Sequence, residues 1–174
     1  MKILLSIILF LSLTVVSRAQ NSEKSKEELS VMYFDLGKSA YDAGEFQSAV
    51  QFLSQSIDFV PDFKAYFWRG GAKFELNDYR GAIKDFDKTL ELHPNHAIAF
   101  AQRGISKGSL GNYSEALIDL NKSIKLQPKY PKSYEARGLI KIQLKDKNGG
   151  CLDLSKAGDL GSKTAFDNIT KFCN

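Results

Sequence analysis

From Leu29 onward, short apolar stretches with helical spacing alternate with polar breaks, and the alternation has a long period. Prolines stand at Pro61, Pro94 and Pro128, 33 and 34 residues apart, and the residues leading to them are alike: SIDFVP, TLELHP and SIKLQP. A glycine lies 24 residues before each proline, at Gly37, Gly70 and Gly104, and an alanine 12 before, at Ala49, Ala82 and Ala116. Between glycine and alanine recur breaks followed by an aromatic: Gly44-Glu45-Phe46, Asn77-Asp78-Tyr79 and Gly111-Asn112-Tyr113. Each unit therefore predicts two helices joined by a tight turn, and the chain as a whole predicts an all-α fold.

The recurring residues have physical reasons to be there. Glycine inside a helix costs about 1 kcal/mol relative to alanine, so three at one register imply a close approach of two helices. The expected partners are Gly37 and Ala49, with Tyr33, Leu36, Leu53 and Ile57 filling the space around them. Each proline ends the second helix, because it lacks an amide hydrogen and disfavours helical geometry in the residue before it.

The beginning of the chain follows another rule. Lys2 precedes a run from Ile3 to Val16 in which only Ser6, Ser12 and Thr14 are not apolar, and Ser17 and Ala19 are small. This is the pattern of an export signal over residues 1–19, cleaved after Ala19, and the run is shorter than the roughly 20 residues that span a bilayer. Residues 20–28 are polar and are expected to form a flexible leader, with the folded domain over 29–174. No cysteine follows the cleavage point for an N-terminal lipid. The mature chain is expected in the periplasm or secreted, with no membrane span.

Composition narrows the function. Of 174 residues, 43% are hydrophobic, and 24 Lys and Arg face 20 Asp and Glu. Losing Lys2 and Arg18 leaves a net charge near +2, without the broad basic field that nucleic acid requires. The segment GDLGSKT, Gly158 to Thr164, fails the phosphate-loop pattern, and neither a Gly-x-Ser-x-Gly elbow nor a His-Glu-x-x-His helix occurs. His93 and His96 flank Pro94 in a turn expected to be solvated, and two histidines do not make a metal site. No enzyme, cofactor or metal is expected.

These residues resemble the tetratricopeptide repeat, whose 34-residue unit carries a bulky residue at position 4, Gly or Ala at 8, an aromatic near 17, Ala at 20 and Pro at 32. The units run over about 30–62, 63–96 and 97–130, with Tyr33, Tyr66 and Phe100 at position 4. A degenerate fourth over 131–160 has Tyr134 and Gly138 in place but Lys147 at position 17 and Gly150 at 20, so its second helix is expected to be short. Cys151, Leu152, Leu154 and Ala157 give that helix its apolar face. A capping helix over 162–172, with Ala165, Phe166, Ile169 and Phe172 on one side, would close the stack. The resemblance is to small exported bacterial members of the family and implies a right-handed superhelical solenoid.

It also implies a concave groove lined by positions 2, 5, 9 and 12 of each first helix. Those positions are Val31, Phe34, Lys38 and Tyr41; Lys64, Phe67, Gly71 and Phe74; Ile98, Ala101, Ile105 and Gly108; and onward Glu135 and Leu139. The candidates for contact are Phe34, Lys38, Tyr41, Lys64, Phe67, Phe74, Ala101 and Ile105. Family members that clamp a C-terminal carboxylate use Asn and basic residues at inner positions. Phe34 at position 5 does not match that clamp, and the aromatic stripe suggests a hydrophobic peptide.

Cys151 and Cys173 would lie on the last repeat helix and the cap, and in an oxidising compartment a bridge between them is expected, with two buried thiols as the alternative. The expected function is a non-catalytic adaptor or scaffold that binds a protein or peptide. The alternative is a structural subunit of a cell-envelope complex that assembles with itself into a homo-oligomer.

Overall fold

The computed structural model describes residues 25–173, and among these the chain is helices and turns without a strand. The segment read as an export signal, and residues 20–24 of the leader, lie outside the described residues. The described residues divide between 61 and 62 into two compact units.

In the first unit, helix α1 (25–42) and α2 (Phe46–Phe59) form one hairpin. Helix α1 already includes residues 25–28, which were expected to be part of a flexible leader; all four are exposed. The hairpin closes through hydroxyls at its open end. Ser30 Oγ donates to the Ser56 carbonyl at 3.0 Å and Ser56 Oγ donates to the Ser30 carbonyl at 2.9 Å. Tyr33 stacks on Phe59 with ring centres 5.8 Å apart.

The second unit contains three hairpins and a cap. These are α3 (Phe63–Glu75) with α4 (Tyr79–Leu92), α5 (Ala97–Ser109) with α6 (Tyr113–Leu126), α7 (Pro131–Gln143) with α8 (Lys147–Asp159), and then α9 (Lys163–Phe172). Helices α4 and α6 end two residues before Pro94 and Pro128, as the missing amide hydrogen requires. Asp78 and Asp146 cap α4 and α8 by accepting from the Gly81 and Gly149 amides. The turns inside the hairpins use a left-handed residue: Gly44, Asn77, Gly111 and, without the freedom of glycine, Lys145 at φ 71°.

The small residues bring the two helices of a hairpin close, as expected: a Cβ on Gly104 would stand 3.1 Å from the Ala116 carbonyl oxygen, and a large side chain lies nearer still. A Cβ added to Gly37 would meet Leu53 Cγ at 2.6 Å, one on Gly70 would meet the Phe86 ring at 2.9 Å, and one on Gly104 would meet Leu120 Cγ at 3.0 Å. The glycine thus makes room for a large residue four positions after the alanine, while Ala49, Ala82 and Ala116 are fully buried themselves. Leu36, expected to fill the hairpin, is exposed instead.

The fourth hairpin is complete. Helix α8 has 13 residues, against 14 in α4 and α6, so its second helix is not short. Gly138 and Gly150 face each other so closely that a Cβ on Gly138 would stand 2.8 Å from the Gly150 carbonyl oxygen. The missing alanine is replaced by a glycine that permits a tighter backbone contact. The apolar face of α8 also differs: Leu154 and Ala157 are buried, whereas Leu152 is 73% exposed. On α9 only Ala165 is fully buried, and Phe166 points largely to solvent. A disulfide joins Cys151 to Cys173 with Cα atoms 5.8 Å apart, fastening the end of α9 to α8.

Candidate functional site

The repeat that places the glycines also places charge. Arg69, Arg103 and Arg137 stand one residue before Gly70, Gly104 and Gly138, with Lys73, Lys107 and Lys141 one turn later on the same helix face. Each pair meets an aspartate on the second helix of its hairpin. Arg103 Nε and Nη2 donate to Asp119 at 2.9 and 2.6 Å, and Lys107 Nζ donates to the same carboxylate at 2.8 Å. Arg69 with Lys73 holds Asp85, and Arg137 with Lys141 holds Asp153, in the same arrangement. The guanidinium groups lie over the position-4 rings of Tyr66, Phe100 and Tyr134 at 5.4 to 5.5 Å.

This ladder also links successive hairpins. Arg103 Nη1 reaches back to Asp87 on α4, and Arg137 Nη1 to Asn121 on α6, both at 2.6 Å. The aspartates are nearly sealed from water, Asp85 and Asp119 each 3% exposed. Burial alone would raise the Asp153 carboxyl, but hydrogen bonds from Arg137 and Lys141 more than offset it and hold the group below the usual carboxylate range. Sequence reading by apolar and small positions passed over this network, although its 34-residue spacing is visible in the chain.

The inner stripe divides into core and surface. In the first unit, Phe34, Lys38 and Tyr41 are half-buried on α1; Lys38 pairs with Asp42 at 2.7 Å, and Tyr41 meets Phe46 edge-on. In the second unit, Lys64 is exposed, and Phe67 and Phe74 are half-buried. Ala101 is fully buried and offers no surface to a ligand, which removes it from the candidates. Gly71 on α3 is buried too. Ile105 packs partly onto the cluster of Ala116, Leu120 and Ile140 and leaves one edge open. Glu135 is engaged by the cap, accepting from Ser162 Oγ at 2.8 Å and Asn168 Nδ2 at 3.0 Å.

The two histidines are not simply solvated. His96 is half-buried at the N-cap of α5, where its Nδ1 accepts from the Ala99 amide at 3.1 Å, and its ring lies 4.9 Å from that of Phe67. His93 is exposed and stacks on Phe63 at 4.8 Å. Among the described residues no group of three metal-ligating side chains occurs, and no helix is long and apolar enough to cross a membrane. An open depression bounded by Asp87, Leu90, Glu91, Pro94, Phe100 and Arg103 has both its carboxylates already paired, with Arg103 and Lys88.

Hairpins with a glycine–large residue contact, a buried alanine and a terminal proline are tetratricopeptide repeats: residues 63–96 and 97–130 each match the sequence model of that family. The chain carries these repeats within an all-α solenoid. A 90-residue stretch is 31% identical to sperm-associated antigen 1 of Homo sapiens and 30% identical to that of Rattus norvegicus. The match covers 52% of this chain and 10% of those relatives, so it spans about a tenth of their length.

Solved structures agree on the fold. The crystal structure of MamA superposes with a TM-score of 0.70 at 23% identity over 84% of this chain and 86% of that one. The Arabidopsis OM64 TPR domain gives 0.66 at 24% identity, over 68% and 98%. The first TPR of Spaghetti (RPAP3), bound to the HSP90 peptide SRMEEVD, gives 0.66 at 19% identity, over 68% and 95%.

Proposed function

We propose that this chain is an exported, non-catalytic adaptor that captures a protein partner through an apolar segment laid along its first helices. The observation that carries the reading is the row of half-buried apolar side chains, Phe67 and Phe74 on α3, Ile105 on α5 and Leu139 on α7, beside the exposed Lys64. Half-buried aromatics are rigid and lose little conformational entropy on contact, so they suit recognition more than a solvated charged face would. That the first TPR of Spaghetti (RPAP3), a domain of similar fold, is bound to an HSP90 peptide supports a peptide ligand here. Here the inner positions are aromatic and aliphatic instead of a carboxylate clamp, which favours a hydrophobic ligand. Export follows from the apolar run and small residues of 1–19.

Photo-cross-linking in the native envelope tests this reading. A photoreactive residue replacing Lys64 or Phe74 is expected to trap a discrete partner, and one replacing Ile118 on α6, exposed and outside the stripe, is not. Equal trapping from all three positions, or none from Lys64 and Phe74, would reject the groove.

A second reading, self-assembly, is favoured by the exposed Val31, Met32 and Leu36 on α1. Sedimentation velocity separates the two: a concentration-independent monomer supports the adaptor, and a defined oligomer supports the structural subunit.

A further inference from the structure

The cap at the start of α5 is a titratable one. The bond from the Ala99 amide to His96 Nδ1 requires that nitrogen to be unprotonated, so the neutral ring carries its proton on Nε2. The same ring lies against Phe67 at 4.9 Å and Phe63 at 5.9 Å, both on α3, and 5.5 Å from His93 at the end of α4. One imidazole therefore ties the first turn of α5 to the α3 face that carries Phe67.

The charged and titratable neighbours are few. On α3 the group is Lys64, whose Nζ lies 5.9 Å from the Phe63 ring centre; at the end of α4 it is His93; and the first turn of α5 is Ala97, Ile98, Ala99 and Phe100. Among the described residues no carboxylate is ion-paired with either imidazole. A proton on Nδ1 would remove the cap acceptor and place a positive charge at the positive end of the α5 dipole, with His93 and Lys64 nearby.

We propose that this joint is an acid-sensitive gate on the groove: protonating His96 uncaps α5, loosens its contact with Phe67, and weakens capture of the apolar partner segment. The gate rests on the groove reading of the preceding section. Burial, and then the charge of His93, hold His96 below the ordinary histidine pKa of 6.5. The unfolded chain therefore takes up the proton first. The contribution of His96 to stability is complete above about pH 6.5 and is lost as pH falls through the lower folded-state value.

The single tryptophan, Trp68, reports on the joint, since its ring lies 5.7 Å from that of Phe67. Thermal midpoint and Trp68 emission are to be followed from pH 8 to pH 5 in the full chain, His96→Asn and His93→Gln. Asparagine can accept the Ala99 hydrogen bond but does not titrate. The full chain is expected to lose midpoint temperature and change its Trp68 emission below pH 6.5, with roughly fivefold faster exchange of the first-turn amides of α5. In His96→Asn this extra loss is expected to vanish, and in His93→Gln, where the folded-state value of His96 moves back toward 6.5, it is expected to be smaller, with the Trp68 emission change displaced to higher pH. Superimposable profiles for the full chain and His96→Asn would overturn the gate. So would equal cross-linking through the residue replacing Phe74 at pH 7.5 and pH 5.5. Absence of a cross-link at either pH would reject the groove and the gating together, while a His96-dependent profile would still stand as a property of the joint.

Discussion

The first hairpin shares one skeleton of glycine, alanine and proline with the next two, and its glycine with the fourth, yet it fills that skeleton with opposite chemistry. Where α3, α5 and α7 carry Arg and Lys and their partners carry a buried Asp, the first hairpin has Leu36, Ala40 and Phe52. Its helices close through the Ser30–Ser56 hydroxyls and the Tyr33–Phe59 stack, and Leu36 is left in solvent. The skeleton alone thus suffices to fold a hairpin. The charge ladder adds directional bonds, and through Arg103–Asp87 and Arg137–Asn121 it fixes how one hairpin sits on the next.

The largest expected effect comes from breaking the ladder. Asp119→Ala would leave the half-buried Arg103 and Lys107 beside each other without their shared carboxylate and is expected to cost about 3 kcal/mol. Phe52→Ala, at the equivalent place in the first hairpin, removes only half-buried surface and is expected to cost about half as much. Urea titration of both variants measures the contrast, and equal losses would remove the distinction.

Cys151→Ser comes next. It opens a loop of 22 residues and is expected to lose about 3 kcal/mol, confined to α9, which buries little apolar surface of its own. Limited proteolysis should then cut within 163–172 while leaving the first hairpin as resistant as before. Gly138→Ala is expected to cost about 2 kcal/mol, because its Cβ would press on the Gly150 carbonyl, which is backbone and cannot turn aside. Gly37→Ala would press on Leu53 Cγ at 2.6 Å and on the Leu53 backbone nitrogen at 3.1 Å, and should cost a comparable amount by the same denaturation assay. The smallest effect has the opposite sign: Lys145→Gly relieves a left-handed residue and is expected to add about 0.5–1 kcal/mol to the thermal stability.

Much of the fold was legible in the sequence because small residues and prolines at a fixed period report directly on helix contact and helix ends. The second helix of the fourth unit was harder to see, since the usual aromatic and alanine are replaced by Lys147 and Gly150. Its signal lay elsewhere, in Asp146 three residues before Gly149, the same cap that Asp78 makes to Gly81. The inner stripe was read as one helix face, but Ala101 on it is fully buried, which helical spacing alone does not reveal. The ladder was missed for another reason: charged residues are expected on surfaces, and only their shared spacing with the glycines marks them as interior.

Native-state hydrogen exchange on the full chain measures the central contrast most directly. The ladder predicts that α3 through α8 open together, at a higher free energy than α1 and α2, and that Asp119→Ala brings the two regions toward the same value. Equal protection of α1–α2 and α3–α8 in the unmodified chain, unchanged by that substitution, would contradict it.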